Sequence, residues 1–327
     1  MKYLNNSIQI TVRPLFKQFV ISLFFLSSVG CSLTSEQRPL EVITVPSIPD
    51  KTTVQKSPVT TGPLKVLSLN MAHGRKDSTN QIFLSKQTIY NNLSDIASLL
   101  KQTSPSLVAL QEADGPSHWS GNFDHVAQLA EQAQYPWYTR AAHAQGWLYN
   151  YGTALLSRSA FTEVVGHAFQ PTPPTMTKGF LLGQIKWQPD KEKEAIILID
   201  IISVHLDFSR RSVRQQQIQE MIQVLSARNN PVIILGDFNS DWFSEEAIIK
   251  DFVNQSRFQA YQSGTKNLGT YSSNKRRLDW ILISEELEFK SYKVLPDIVS
   301  DHSAIVAEIG FRIQDEYVKA TYKKYNH

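Results

Sequence analysis

Residues 232–241 read VIILGDFNSD. Four branched apolar residues run into Gly236, and two polar side chains, Asp237 and Asn239, follow within three positions. A short apolar run closed by glycine predicts a buried β-strand. Polar residues just beyond it stand at the strand end, where a rigid element holds them while they still reach solvent.

The same arrangement recurs on both sides of this stretch. Leu64–Leu69 ends in Asn70, and Leu107–Leu110 leads into Gln111 and Glu112. Ile196–Val204 is followed by His205, Asp279 opens Trp280–Ile283, and Asp301 and His302 precede Ala304–Ile309. Gly152–Leu156, Leu181–Trp187 and Phe289–Val294 are further strand candidates. Between them, Ile89, Leu93, Ile96, Ala97 and Leu100 keep helical spacing, as do His125–Ala133 and Val213–Leu225. Many strands with helices between them, in one uninterrupted body, predict a layered α/β domain rather than two independent ones.

Composition narrows the class. The chain has 327 residues, of which 42% are hydrophobic and 19% charged, which excludes a disordered protein. Its single cysteine, Cys31, excludes an internal disulfide and a cysteine-based zinc site. There are 33 Lys and Arg against 30 Asp and Glu; Lys2, Arg13 and Lys17 fall in the first 30 residues, which hold no acid. The remaining body therefore balances at 30 against 30, without the basic excess of a protein that neutralises many nucleic-acid phosphates.

The leader has its own logic. Positive charge is followed by the apolar run Phe19–Leu26 and then by small residues ahead of Cys31. This predicts an export signal over residues 1–30, too short to span a bilayer. It resembles a bacterial lipoprotein signal, in which Cys31 becomes the lipid-carrying residue, palmitate included; Ser32 after it leans toward the outer membrane. An ordinary secretory signal with a coincidental cysteine is the alternative. Residues 31–63, rich in Ser, Thr and Pro, predict an extended tether to the membrane. A catalytic domain is expected over 64–311 and a polar tail over 312–327, the whole acting as a monomer.

Seven stretches, in order, are LSLNMAHG, LVALQEAD, YGTALLSR, SVHLD, VIILGDFNSD, RRLDWILIS and SDHSAIVAEI. Together they resemble the endonuclease/exonuclease/phosphatase superfamily, whose members include pancreatic deoxyribonuclease, inositol polyphosphate 5-phosphatases and neutral sphingomyelinases. The resemblance implies a four-layer α/β sandwich, with two mostly antiparallel sheets face to face and helices outside. It also implies a Mg²⁺- or Mn²⁺-dependent phosphoesterase.

The residue types suit that chemistry. Cleaving a phosphate ester requires neutralising the phosphoryl oxygens and activating a water. Glu112 is the expected metal ligand, with Asn70 offering a carbonyl oxygen. His302 is expected to be the general base, a neutral imidazole accepting a proton from water. Asp279 or Asp301 would orient it; we assign Asp279 to that role and give Asp301 a metal or orienting role. His205 would donate to the phosphate. The resemblance implies that Asp237 aligns the water or protonates the leaving group, that Asn239 holds a phosphoryl oxygen, and that Tyr151 contacts the phosphate, with Tyr149 close by. His73, His118, His125, His143, His167 and His327 match no motif and are read as non-catalytic.

The substrate is less legible. Two basic clusters, Arg210–Arg211–Arg214 and Lys275–Arg276–Arg277, stand beside motif residues and would suit a phosphoinositide headgroup, a lipid surface or DNA. Trp119, Trp137 and Trp147 could stack on bases, enter a lipid interface or pack in the core. The reading is a lipid-anchored envelope phosphodiesterase. A secreted nuclease, or a catalytically silent binding protein on the same fold, are its alternatives.

Overall fold

The computed structural model describes residues 42–46, 59–273 and 275–312. The expected signal, Cys31 and the tail beyond residue 312 lie outside them. The strands are, in chain order, β1 Val42–Pro46, β2 Thr60–Thr61, β3 Leu64–Asn70, β4 Leu107–Asp114, β5 Trp137–Gln145, β6 Asn150–Ser157 and β7 Phe161–Ala168. They continue with β8 Gly179–Gln188, β9 Ile197–His205, β10 Val232–Asp237, β11 Phe258–Ala260, β12 Asp279–Ser284, β13 Leu287–Val294 and β14 Ile305–Phe311. Helices α1 Lys86–Thr103, α2 His125–Gln132, α3 Arg211–Ser226 and α4 Ile248–Gln255 connect them.

One seven-stranded sheet runs β1-β5-β6-β4-β3-β14-β13, and the second runs β11-β12-β10-β9-β8-β2 with β7 on the side of β8. Pairing is antiparallel except at β3/β4, β9/β10 and β2/β8. The strand period of two sorts the side chains into layers. Leu64 and Val66 of β3 and Leu107 and Ala109 of β4 face Ile199 and Ile201 of β9 and Ile233 and Leu235 of β10. The intervening positions, Leu67, Leu69, Val108 and Leu110, face the other way, onto Leu93, Ile96 and Leu100 of α1 and Val126 and Leu129 of α2. On the second sheet Ile202, Val204, Ile234 and Leu282 meet Ile218 and Met221 of α3 and Ile249 and Phe252 of α4. The result is helix, sheet, sheet, helix, the expected four-layer sandwich.

Local signals place the helix ends. Ser85 caps α1 by accepting from the Thr88 N–H at 3.1 Å, and Asp124 caps α2 through the Val126 and Ala127 N–H groups. The segment expected to be a tether contributes two strands: β1 pairs with β5 and β2 with β8. The run Val42-Ile43-Thr44-Val45 is β-branched throughout, which favours pleated backbone over a free linker.

Candidate active site

The second sheet lays three polar residues side by side. His205 pairs with Asp237 across β9 and β10, and Asp237 pairs with Asp279 across β10 and β12. The first sheet brings Asn70, from the end of β3, against this row, and its Nδ2 donates to Asp237 Oδ2 at 3.0 Å. Beneath them Gln111 of β4 donates to Ser203 of β9 at 3.0 Å, so the apolar interior ends in a polar floor.

Glu112 reaches the site by breaking the rule of its strand. Strict alternation after Val108 and Leu110 would aim it at the helices. A bulge in the β4/β6 register between Gln111 and Ala113, with Glu112 at φ 50°, re-aims it. Its Oε1 lies 4.0 Å from His205 Nε2. Ala72, His73 and Asn239 also take left-handed backbone, at φ 45°, 55° and 48°. Three of these residues, His73, Glu112 and Asn239, line one cavity, and backbone strain of this kind is a feature of functional sites.

That cavity, of about 620 Å³, is lined by Asn70, Glu112, Tyr151, His205, Asp237, Asn239, Asp301 and His302, and also by His73, Arg75, Lys178 and Arg276. Of the residues expected from sequence to be catalytic or to hold metal, Asp279 alone does not line it; Asp279 lies directly behind His302. Its Oδ2 is 2.8 Å from His302 Nδ1, so Asp279 orients the ring. The Nε2 of His302 lies 3.8 Å from Asp237 Oδ2. Asp301, the other candidate, does not touch the imidazole. It binds Arg75 at 2.5 Å and Ser300 at 3.3 Å. Asn70 is turned with its oxygen accepting the Ala72 N–H and its amide nitrogen toward Asp237. Asn239 donates its Nδ2 to the Leu206 carbonyl. Tyr151 packs edge-on against His73 at 4.8 Å, whereas Tyr149 stands behind it against Trp119.

Three groups escaped the sequence reading. His73 lies within the quoted LSLNMAHG and was set aside, yet its Nδ1 is 2.8 Å from Asp114 Oδ1 and its Nε2 3.2 Å from Glu112 Oε2. The left-handed turn that swings it inward carries no pattern beyond the glycine after it. Lys178, one residue before β8, is buried with its Nζ 3.4 Å from both ring nitrogens of His205. Arg75 holds Asp301. A lone Lys or Arg beside a strand has no periodic signature, so neither stood out.

The electrostatics are strongly asymmetric. Burial works to raise Glu112, but His73, Lys178, His205 and His302 hold its carboxyl well below the usual range. Burial and Lys178 push His205 well down, so its imidazole is neutral. Burial works to lower His302, yet the Asp279 and Asp237 charges lift it to about 10. Burial, joined by Asp279, raises Asp237 to about 7 against the pull of His302. Asp279 first, and then Asp237, thus favour the protonated form of the His302 ring, which brings Asp237 forward as a partner in proton acceptance.

Donor chemistry suits a divalent cation. Asp237, Asp279 and His302 offer atoms within 4.8 Å of one another, all three residues buried. The Asp279–His302 hydrogen bond already uses one donor from each of these two. A hard cation such as Mg²⁺ prefers oxygen, and the partly open Glu112 carboxylate supplies it.

The basic clusters separate. Arg211 pairs with Asp251 and Arg214 with Glu246, while Arg210 binds the Thr172 carbonyl; none of the three lines the cavity. Among the tryptophans, Trp119 packs 5.1 Å from His73, Trp137 opens β5, and Trp147 is 87% exposed.

The model of the Endonuclease/Exonuclease/phosphatase family matches residues 67–302. No curated protein sequence gives a significant match. Among solved structures, a family protein from Leptotrichia buccalis is similar at TM-score 0.59 and 19% identity, over 76% of this chain and 100% of that one. A mannosyl-6-phosphatase from Bacteroides thetaiotaomicron is similar at TM-score 0.54 and 18% identity, over 76% of this chain and 100% of that one. The catalytic domain of human Nocturnin, with a bound sulfate anion, is similar at TM-score 0.53 and 17% identity, over 83% of this chain and 97% of that one.

Proposed function

The chain belongs to the endonuclease/exonuclease/phosphatase family, and from that premise we propose that it is an envelope phosphoesterase, dependent on Mg²⁺ or Mn²⁺, that hydrolyses a phosphodiester. Members of the family hydrolyse phosphoester bonds and typically use divalent metals. The observation that carries the reading is the Asp279–His302 pair facing buried Asp237 across the cavity that Glu112, His205 and Lys178 also line.

The roles follow from geometry. Neutral His205 donates to a phosphoryl oxygen, Lys178 supplies positive charge behind it, and Asn239 and Tyr151 bound the same cavity. The attacking water sits between His302 Nε2 and Asp237 Oδ2. Proton acceptance passes from His302 alone to the His302–Asp237 pair, because burial brings Asp237 to about 7, where an acid can accept a proton at neutral pH. Imidazolium His302 then stabilises charge developing on the phosphoryl group. Glu112 would hold the metal, with Asp301, which also binds Arg75, as a further oxygen donor, while the Asn70 oxygen is engaged by the Ala72 N–H; bound there, the cation would neutralise phosphoryl charge.

Export, lipid attachment at Cys31 and outer-membrane placement rest on the leader sequence. The balanced charge of the body favours a compact phosphodiester over a long nucleic acid.

Hydrolysis of bis(p-nitrophenyl) phosphate with Mg²⁺ or Mn²⁺, abolished by EDTA, tests the reaction; no turnover with either metal refutes it. A screen of DNA, RNA, phospholipids and inositol phosphates then ranks substrates. Cys31→Ala should abolish palmitate labelling and release the protein from membranes, and unchanged fractionation refutes the anchor.

A further inference from the structure

A second groove adjoins the catalytic cavity. It encloses about 210 Å³, and Arg276 lines both spaces. Its wall carries Lys266, Lys275, Arg276 and Arg277 against one acid, Asp241. That acid is already engaged, with Oδ1 accepting the Phe243 N–H and Oδ2 the Arg277 N–H, each at 2.9 Å. Lys266 lies over the half-exposed Phe243 ring at 5.2 Å, and among the described residues neither Lys266 nor Lys275 is paired with an acid. Arg277 is buried and stacked 3.9 Å from the Trp280 ring, with its guanidinium donating to the Tyr261 carbonyl at 2.9 Å and the Tyr292 hydroxyl at 3.1 Å, so it frames the groove from below. Lys266 and Lys275 thus bring to the groove two positive charges with no acid partner among the described residues.

Its position is fixed to the chemistry. The segment bearing Lys275 and Arg276 closes on itself through the Thr270 and Tyr271 N–H groups, which donate to the Arg276 carbonyl. It is tied to the catalytic strand end by the Tyr271–His302 bridge, by Ser303 N–H on the Thr270 carbonyl at 2.7 Å and by Ser272 N–H on the Asp301 carbonyl at 3.0 Å. An anion in the groove is therefore held in a set relation to a phosphoryl group in the cavity.

We propose that this groove is a subsite for a second phosphate carried by the substrate, so that the enzyme selects small phosphodiesters bearing a further phosphoryl group. The reaction is the one proposed above, on which this inference rests; the anion recognition is independent of it. The groove's volume suits one phosphate and part of a sugar, and the body carries no net positive charge to favour a long polyanion.

The test uses the full chain and two chromogenic esters that differ by one phosphate, thymidine 5′-(p-nitrophenyl phosphate) and its 3′-phosphorylated counterpart. Wild type should prefer the 3′-phosphorylated ester by about 10-fold or more in kcat/KM, the scale of one charge-assisted contact. Lys266→Gln/Lys275→Gln should lose that preference while turning over the simpler ester within about 2-fold of wild type. No preference in wild type, or an undiminished one in the double variant, overturns the proposal. A kcat/KM that keeps climbing with oligonucleotide length overturns it in favour of an extended strand-binding surface. Calorimetric titration with thymidine 3′,5′-bisphosphate in EDTA should show binding weakened about 10-fold by the double variant; equal binding overturns the subsite. If neither ester is hydrolysed with Mg²⁺ or Mn²⁺, the hydrolase reading fails while this titration still decides the subsite.

Discussion

Asn70 and Asp237 stand 167 positions apart in the chain and are joined across the two sheets by a 3.0 Å hydrogen bond. Each sits where its strand ends, so the bond fixes the separation of the sheets at the place where the chemistry occurs. Asn70→Ala leaves a buried carboxyl short of a donor. It should cost about 1–3 kcal/mol of stability, read by urea unfolding, and a variant as stable as wild type would show that the bond contributes little.

The His302–Asp279 pair predicts a graded loss. His302→Ala should lower kcat by roughly 10²–10⁴-fold with little change in KM, the range for a group acting on protons in the transition state. Asp279→Asn keeps the ring but loses its orienting acceptor, and should give a smaller defect of the same kind. A larger defect in Asp279→Asn than in His302→Ala refutes the assignment.

The pH dependence has a definite sign. The acceptor works deprotonated, so kcat/KM should rise with pH through an apparent pKa near 7 belonging to the pair. That limb should persist in His205→Ala and vanish in Asp237→Asn. Its survival in Asp237→Asn places the acceptor elsewhere.

His302 also carries a stability signature. Its folded value, about 10, is raised above the ordinary 6.5. The contribution is therefore complete below about pH 6.5 and is lost as pH rises through about 10. Nitrogen-15 NMR of the imidazole in metal-free protein should show the ring protonated at pH 8; titration near 6.5 contradicts it.

Glu112 and His73 should separate metal binding from folding. Glu112→Gln should lose most metal-dependent turnover and metal binding by calorimetry, with an unchanged circular dichroism spectrum. His73→Ala frees one Glu112 oxygen from its partner and should weaken Mn²⁺ affinity by about 10–100-fold, the usual effect of removing a group that orients a ligand. Unaltered Mn²⁺ affinity would make His73 a packing residue.

Much of this was readable from the chain because the relevant signals are local. A branched apolar run gives a strand, and the polar residue after it gives a candidate, as at Asn70, His205 and Asp237. What escaped was either long-range or backbone-borne. Strand β5, WYTRAAHAQ, is buried along most of its length with little alternation to betray it. Helix α4, IIKDFVNQ, also escaped, although Ile248, Ile249, Phe252 and Val253 keep helical spacing. His73 enters through a left-handed turn that leaves no residue-type pattern, and Glu112, though expected from sequence, is aimed by a bulge that leaves none either. Lys178 becomes meaningful only once β8 lies beside β9.

The row formed by His205, Asp237 and Asp279 has a further consequence for how such an enzyme can diverge. The three occupy matched positions on β9, β10 and β12. Inserting one residue into β10 would turn its side chains to the opposite face and scatter the row at a stroke. Insertions in the segments after β7, β9 and β10 leave the pairing untouched while reshaping the walls around it. Heritable change is thereby channelled: the reaction is locked to the ladder of backbone hydrogen bonds, while the choice of molecule to be cut is left to segments free to lengthen, shorten and drift.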